Sequence, residues 1–305
     1  MLNYLRLARI PNLLIIMLSQ ILVRFCLILP AFKTEYFITG IFPNYLSDFN
    51  FSLLITSTIL ITVAGYIIND YFDILIDDIN KPGKNIVGKS ISKKHAKNLY
   101  YGMSVIGIIL GFYVAIQISK PAMGLLPLFS AVSLWMYSSF YKRRLFSGNI
   151  IVSILCALSI LIIGLYEPEF YKNFIYLIWF AVPAFILTFI RELIKDIEDI
   201  DGDELSLCKT VPIVFGIKKT KKIVIVLIAA LASYILFILY TYFYSNTVLN
   251  FWYLTGLFLI PLFALIYLVK SASEKKDYYF ASLYSKIIML GGVFLIFFFW
   301  FYFLK

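Results

Sequence analysis

Histidine occurs once in this chain, cysteine three times, and charged side chains make up only 14% of its 305 residues. Soluble domains carry about 25% charged residues, so the chain lacks the surface that water would have to cover. Cys26, Cys156 and Cys208 lie far apart, with no CxxC or Cys/His spacing. That excludes a disulfide framework and a zinc site as organising principles and leaves three free thiols. His95 sits among Lys93, Lys94 and Lys97 without a ligand-like partner and reads as solvated surface. The first apolar run, Leu13 to Leu29, has no small-residue cleavage site after it and precedes many further runs. It is expected to span the membrane rather than to be a cleaved signal.

What is abundant is apolar sequence: 62% of residues are hydrophobic, and the mean hydropathy is +0.90. A spanning helix needs about 20 mostly apolar residues. Nine segments qualify: Leu13 to Leu29, Phe51 to Ile68, Leu99 to Ile118, Met123 to Phe140, Ile150 to Leu165, Phe174 to Ile190, Ile223 to Phe243, Trp252 to Val269 and Ile287 to Leu304. The expected fold is an all-α polytopic membrane protein, one domain over residues 1–305, with nine transmembrane helices around a central cavity. Pro127, Pro183 and Pro261 fall inside spans and should kink them. With the N-terminus cytoplasmic, 22 of the 27 Lys and Arg residues fall on the inner side, which sets the topology by the positive-inside rule. The net charge of +10 then follows from loop bias and anionic membrane lipids, and no nucleic acid is expected as a partner. The expected location is the cell (inner) membrane.

Positive-inside bias does not explain why the two long inner loops, 69–98 and 191–222, also hold eleven of the seventeen acidic residues. In the first, Asn69, Asp73 and Asp77 recur every four residues where the second span ends. In the second, Asp196, Asp199 and Asp203 follow at i, i+3 and i+7 beyond the sixth. On a helix each set shares one face, where like charges repel by a few tenths of a kcal/mol per pair. Two such stacks call for a cation. Oxygen-only donors point to Mg²⁺ or Mn²⁺, and Mg²⁺ is commonly shared between carboxylates and substrate phosphates. All six residues are candidate metal ligands and catalytic residues on the cytoplasmic face. Lys84, Lys142, Lys195 and Lys209 lie in the same layer, placed to contact the remaining phosphate oxygens. Asp73 to Asp199 and Asp77 to Asp203 are both separations of 126 residues, which suggests a weak internal duplication of helices 1–4 in helices 5–8, with the site between the halves. Architecture alone leaves a cation-coupled transporter open beside an enzyme, although a carrier more often places its ionisable groups near mid-membrane.

At these residues the sequence resembles the UbiA family of intramembrane prenyltransferases. Asn69-x3-Asp73-x3-Asp77 fits the family's first motif and Asp196-x2-Asp199-x3-Asp203 its second. Asn80-Lys81-Pro82, Gly88, Tyr137-Ser138 with Lys142, Gly148-Asn149 and Lys209-Thr210 match secondary signatures. Near the first span an Arg-Pro pair appears as Arg9-Ile10-Pro11-Asn12, and in the first loop Lys84-Asn85 replaces an Arg-Pro. The resemblance implies transfer of an isoprenyl group from a prenyl diphosphate to a lipophilic acceptor, with Mg²⁺ bridging diphosphate and aspartates. Arg9, Asn12, Lys84, Tyr137, Ser138, Lys142, Lys195 and Lys209 are the implied substrate-binding residues. Metal and lysines would stabilise charge on the leaving diphosphate, in a cavity dry enough to protect an allylic cation. Tyr71, Tyr137 and Tyr141 are the candidates to face that cation, against the ordinary role of Tyr as an interfacial anchor.

The run from Arg191 to Asp203 looks most like the branch that prenylates geranylgeranylglyceryl phosphate, a phospholipid-like acceptor. Branches that act on aromatic quinone precursors show a similar pattern, and that class stays open. A phosphorylated acceptor would need a second cationic patch, for which Lys142, Arg143 and Arg144 are candidates. Arg24, mid-span in the first helix, is expected either to face a cavity or to snorkel to the outer interface.

Overall fold

The computed structural model describes residues 2–40, 44–80, 83, 85–169, 174–243 and 248–301. Nine long helices follow in order: α1 (Ile10–Lys33), α2 (Asp48–Phe72), α3 (Lys93–Gln117), α4 (Pro121–Ser139), α5 (Ser147–Tyr166), α6 (Phe174–Glu198), α7 (Ile217–Phe243), α8 (Val248–Ser271) and α9 (Lys275–Phe299). Among the described residues, eight helices are long and apolar enough to cross a membrane, and α8 contributes a shorter apolar stretch, Thr255–Ser271. The helices outrun the apolar segments at their polar ends, because side-chain caps start them earlier than hydrophobicity does. Ser92 Oγ accepts the His95 N–H at 3.2 Å ahead of α3. Glu274 and Asp277 close a capping box that starts α9, twelve residues before the expected boundary at Ile287. His95 itself is exposed, as read from the sequence, with its ring 3.3 Å from the Tyr4 hydroxyl.

Large apolar side chains face outward over much of the surface, among them Ile260, Phe263 and Tyr267 at 62–71% exposure. In water such a surface would aggregate, whereas lipid tails solvate it. Helix association in lipid rests on close packing rather than on dewetting. Accordingly α2 lies tight against α3, where Ser57 donates to the Gly107 carbonyl at 2.6 Å.

The interior divides into three packed regions. One, with Ala64, Ile67, Ile68 and Tyr100, lies beneath the end of α2. A second, with Ile190, Leu193, Val224 and Leu265, lies beneath the end of α6. The third, with Leu27, Phe32, Ile163 and Leu177, fills the other half of the bundle. Each acidic motif therefore rests on a core of its own, and the seam between the two cores is where the motifs meet.

Arg24 does not face a cavity; its head reaches the end of the bundle away from the acidic motifs, where Nη2 bonds the exposed Asp48 carboxylate at 3.0 Å. It sits in a π-helical turn of α1, Val23–Ile28, fully buried, and donates to Glu167 Oε1 at 2.8 Å and to the Leu46 carbonyl at 2.5 Å. Glu167 Oε2 accepts the Leu46 N–H at 2.8 Å. Arg9 and Arg24 are about 22 Å apart along the helix at 1.5 Å per residue, so this ion pair ties α1 to the end of α5 far from the acidic motifs.

Candidate active site

Each motif lies on a helix break, and the two breaks have the same shape. α2 stops at Phe72, and Asp73 takes φ −90°, ψ 4°. Its N–H reaches the Asn69 carbonyl at 2.9 Å and its own carbonyl accepts the Asp77 N–H at 2.8 Å. α6 stops at Glu198, and Asp199 takes φ −96°, ψ 11°. Its N–H reaches Lys195 O at 2.8 Å and its carbonyl accepts the Asp203 N–H at 3.2 Å. The 126-residue offset therefore reappears bond for bond in the backbone. The helices are interrupted at the middle aspartate, where Asp favours a helix end over a helix interior, yet the i,i+4 bonds continue through each break, and Asn69 and Asp73 stay side by side.

The breaks turn two short helices, Ile74–Asn80 and Ile200–Leu205, against each other. Asn80 clamps them, donating Nδ2 to the Asp199 carbonyl at 3.1 Å and accepting the Gly202 N–H at 3.1 Å. Glycine is required there, because a Cβ at position 202 would stand 2.4 Å from Asn80 Nδ2. Gly202→Ala is expected to displace the Asn80 amide, lose both bonds and lower stability by about 1–3 kcal/mol, with turnover falling alongside. A melting curve in detergent equal to that of the unsubstituted protein would contradict the clamp.

Side chains from the α4–α5 connection bind both motifs. Lys142 Nζ pairs with Asp73 Oδ2, to which Asn69 also donates at 2.7 Å. Asn149 Nδ2 donates to Asp196 Oδ2 at 2.8 Å. Gly148 lets α5 approach, since a Cβ there would lie 2.9 Å from the Lys142 Cα. Burial alone would lower the Lys142 pKa, but Asp73 outweighs it, with Tyr137 and Asp203 adding, and holds the ammonium charged. Asp203 is pushed up to about 6 by burial, with Lys142 pulling it back and the charges of Asp199 and Asp73 adding to the rise. Aspartates of both motifs thus feel one another across the seam. Among the described residues no three His, Cys, Asp or Glu side chains converge as a ready-made metal cage. The donor set is oxygen only and carries buried like charges, which suits a hard cation that completes its shell with substrate oxygens and water.

The remaining sequence candidates fall into two groups. Arg9 donates to Asp70 at 2.7 Å and lies over the Tyr66 ring at 4.8 Å. Asn12 accepts from Lys286 Nζ at 3.2 Å. Lys195 lies 3.9 Å from Glu192. Tyr137 lies close to Glu192, Lys142, Asp73 and Asp196, inside the seam. Ser138 is less directly placed, its hydroxyl spent on the Leu134 carbonyl at 3.0 Å. Lys209 is exposed and tied to the loop by its N–H on Arg143 O at 2.9 Å. Lys84 lies outside the described residues. Arg144 is stacked on Phe140 at 3.6 Å.

Two apolar cavities, of about 190 and 240 Å³, lie within the bundle, and the second reaches this polar end. They share Ile15, Ile16, Cys156, Ser159 and Met289. The larger is polar at one end, lined there by Asn12, Tyr66, Arg191, Glu192 and Lys286. The sequence singled out Asn80 and Asn149 only as parts of secondary signatures, without a role in the site, and placed Lys286 in a loop.

The model for the UbiA prenyltransferase family matches residues 36–300. A digeranylgeranylglyceryl phosphate synthase of Methanosphaera stadtmanae is 32% identical over 248 residues, 79% of this chain and 85% of the relative. Another, of Methanococcoides burtonii, is 32% identical over 253 residues, 81% and 86% of the two chains. In fold, the chain is similar to a UbiA homologue of Archaeoglobus fulgidus solved with DMAPP and Mg²⁺, with a TM-score of 0.61 at 15% identity, covering 96% and 98% of the two chains. A structure described for digeranylgeranylglyceryl phosphate synthase in membranes gives 0.63 at 24% identity, over 97% and 96%. The transporter alternative falls with these matches: the chain is an integral, multi-pass membrane enzyme and belongs to the UbiA prenyltransferase family.

Proposed function

We propose that this enzyme transfers a geranylgeranyl group from geranylgeranyl diphosphate to the free hydroxyl of geranylgeranylglyceryl phosphate, using Mg²⁺ held between its two aspartate motifs. The observation that carries this reading is the convergence of both motifs, through Asn80, Lys142 and Asn149, above apolar cavities suited to isoprenyl chains. The names of the relatives support the acceptor, and the ligands of the Archaeoglobus structure support the donor and the ion.

Asn69, Asp73 and Asp77 on one side and Asp196, Asp199 and Asp203 on the other would hold the metal, with substrate phosphates completing the coordination. When bound, Mg²⁺ neutralises charge building on the diphosphate as it leaves. Lys142, held charged in the seam, contributes to the same stabilisation. The C1–O bond to diphosphate breaks and a C1–O bond to the acceptor hydroxyl forms, while the hydroxyl proton passes to solvent at the polar end. Apolar cavity walls keep water from C1, so that the hydroxyl wins over hydrolysis. The matching backbone breaks at Asp73 and Asp199 support one domain built from duplicated halves. The bias of 22 of 27 cationic residues toward one side supports a site on the cytoplasmic face of the cell membrane.

The test is turnover by the purified protein with labelled geranylgeranyl diphosphate, a panel of glyceryl phosphate and aromatic acceptors, and Mg²⁺ or chelator. Transfer to the glyceryl phosphate acceptor that stops on chelation and returns with Mg²⁺ is expected. Transfer to an aromatic acceptor alone would overturn the acceptor, and transfer indifferent to chelator would overturn the metal.

A further inference from the structure

Three cations surround one carboxylate at the polar end of the larger cavity. Arg191 Nη1 bonds Glu192 Oε1 at 2.6 Å, while Arg191 Nε is buried with no hydrogen-bond partner. Lys195 Nζ lies 3.9 Å from the other Glu192 oxygen. Lys286 enters from α9, about three turns in from its charged start, and faces Arg191, Lys195, Arg9 and Glu192. Arg9 is matched by Asp70. Arg191 and Lys286 share Glu192 as the carboxylate lining the cavity with them, while Lys195 stands between Glu192 and the seam aspartates, so positive charge is in excess at the cavity end. Such charge within a membrane bundle is costly and marks a site.

We infer that Arg191, Lys195 and Lys286 hold the phosphate of the acceptor, an inference that rests on the glyceryl phosphate reading above. A phosphate monoester carries about −1.5 to −2 at neutral pH and would offset that excess. Arg191 offers the planar fork and Lys286 the point charge that suit its oxygens. The placement also delivers the reacting group. The free hydroxyl of the glyceryl unit sits on the carbon next to the phosphate-bearing one, within a few bonds of the phosphorus. The cluster adjoins the aspartate seam, with Glu192 and Lys195 both close to Asp196 and Lys195 close to Asp203. A phosphate seated on the cluster therefore presents that hydroxyl to the donor. The acceptor's own chain descends past Ile15, Ile61, Leu134 and Leu155, which line the same cavity. An acceptor with no anionic group would leave that excess uncompensated, and one with a single carboxylate would offset less of it than a phosphate does. None of Lys142, Arg143 and Arg144, the patch expected from the sequence, lines this cavity.

The experiment compares Lys286→Gln and Arg191→Lys with the unsubstituted protein, using geranylgeranylglyceryl phosphate, its dephosphorylated analogue and geranylgeranyl diphosphate, with melting curves to verify folding. The acceptor KM is expected to rise about tenfold or more, with the donor KM staying within about twofold. The preference for phosphorylated over dephosphorylated acceptor should shrink by a similar factor. A rise in donor KM instead, or an unchanged phosphate preference in both variants, overturns the assignment. Arg191→Lys keeps the charge and loses only the fork, so it carries the readout even where Lys286→Gln fails to fold. Unsubstituted protein that uses no phosphorylated acceptor at all overturns the acceptor reading itself, whereas normal use of it with indifferent variants overturns only the site.

Discussion

Replacing Asp73 or Asp199 by Asn is expected to cut kcat by at least about 10²–10³-fold, the scale of losing one preorganised group that stabilises a leaving anion. Asn keeps the size of the side chain and its ability to accept a hydrogen bond. What disappears is the negative charge that Mg²⁺ needs. Asp73 is buried and already engaged by Asn69 and Lys142, so its substitution also releases Lys142 and should weaken donor binding further. Asp199 sits at the matching break on the other side of the seam and should fail in the same manner. Steady-state kinetics at saturating Mg²⁺, with melting curves to verify folding, measure both. Turnover within a few-fold of normal in either variant would remove that residue from the metal site.

The second large effect is expected on stability, at the opposite end of the bundle. Arg24→Met leaves Glu167 as a fully buried carboxylate without its cation, a change that typically costs about 3–5 kcal/mol. The Leu46 N–H remains on the Glu167 side chain, so the segment entering α2 is loosened rather than released. Arg24→Met with Glu167→Gln should recover much of the loss, since the stranded charge is gone. Both proteins should keep the acceptor preference of the unsubstituted enzyme, because the pair lies remote from the motifs. Thermal unfolding in detergent checks the single and double variants. A single variant that melts like the unsubstituted protein would show that the pair contributes nothing to the fold.

Much of this organisation is written locally and is therefore legible in the chain. Apolar runs long enough for a bilayer produced the helices, and the shared 126-residue offset from Asp73 to Asp199 and from Asp77 to Asp203 announced two equivalent corners. What was hidden depends on side chains brought together from distant positions. Asn80 clamps a segment more than a hundred residues away, and Asn149 reaches Asp196 from another helix. Neither leaves a periodic trace. Arg24 finds Glu167 across 143 positions, so its burial shows only in three dimensions. Lys286 is a different case. Hydropathy places the last span after it, yet the capping box of Glu274 and Asp277 starts the helix before it, and that pattern was available to be read.

One site shared by two motifs is the central claim, and coupling between them tests it directly. Mg²⁺-dependent binding of a slow-reacting thiodiphosphate analogue of the donor should be measured in Asp73→Asn, Asp199→Asn and the double variant. For a single site each substitution should abolish most of the Mg²⁺-dependent affinity, and the double variant should bind no worse than the weaker single one. Losses that simply add, or Mg²⁺-dependent binding that survives both substitutions, would contradict a diphosphate held between the two motifs.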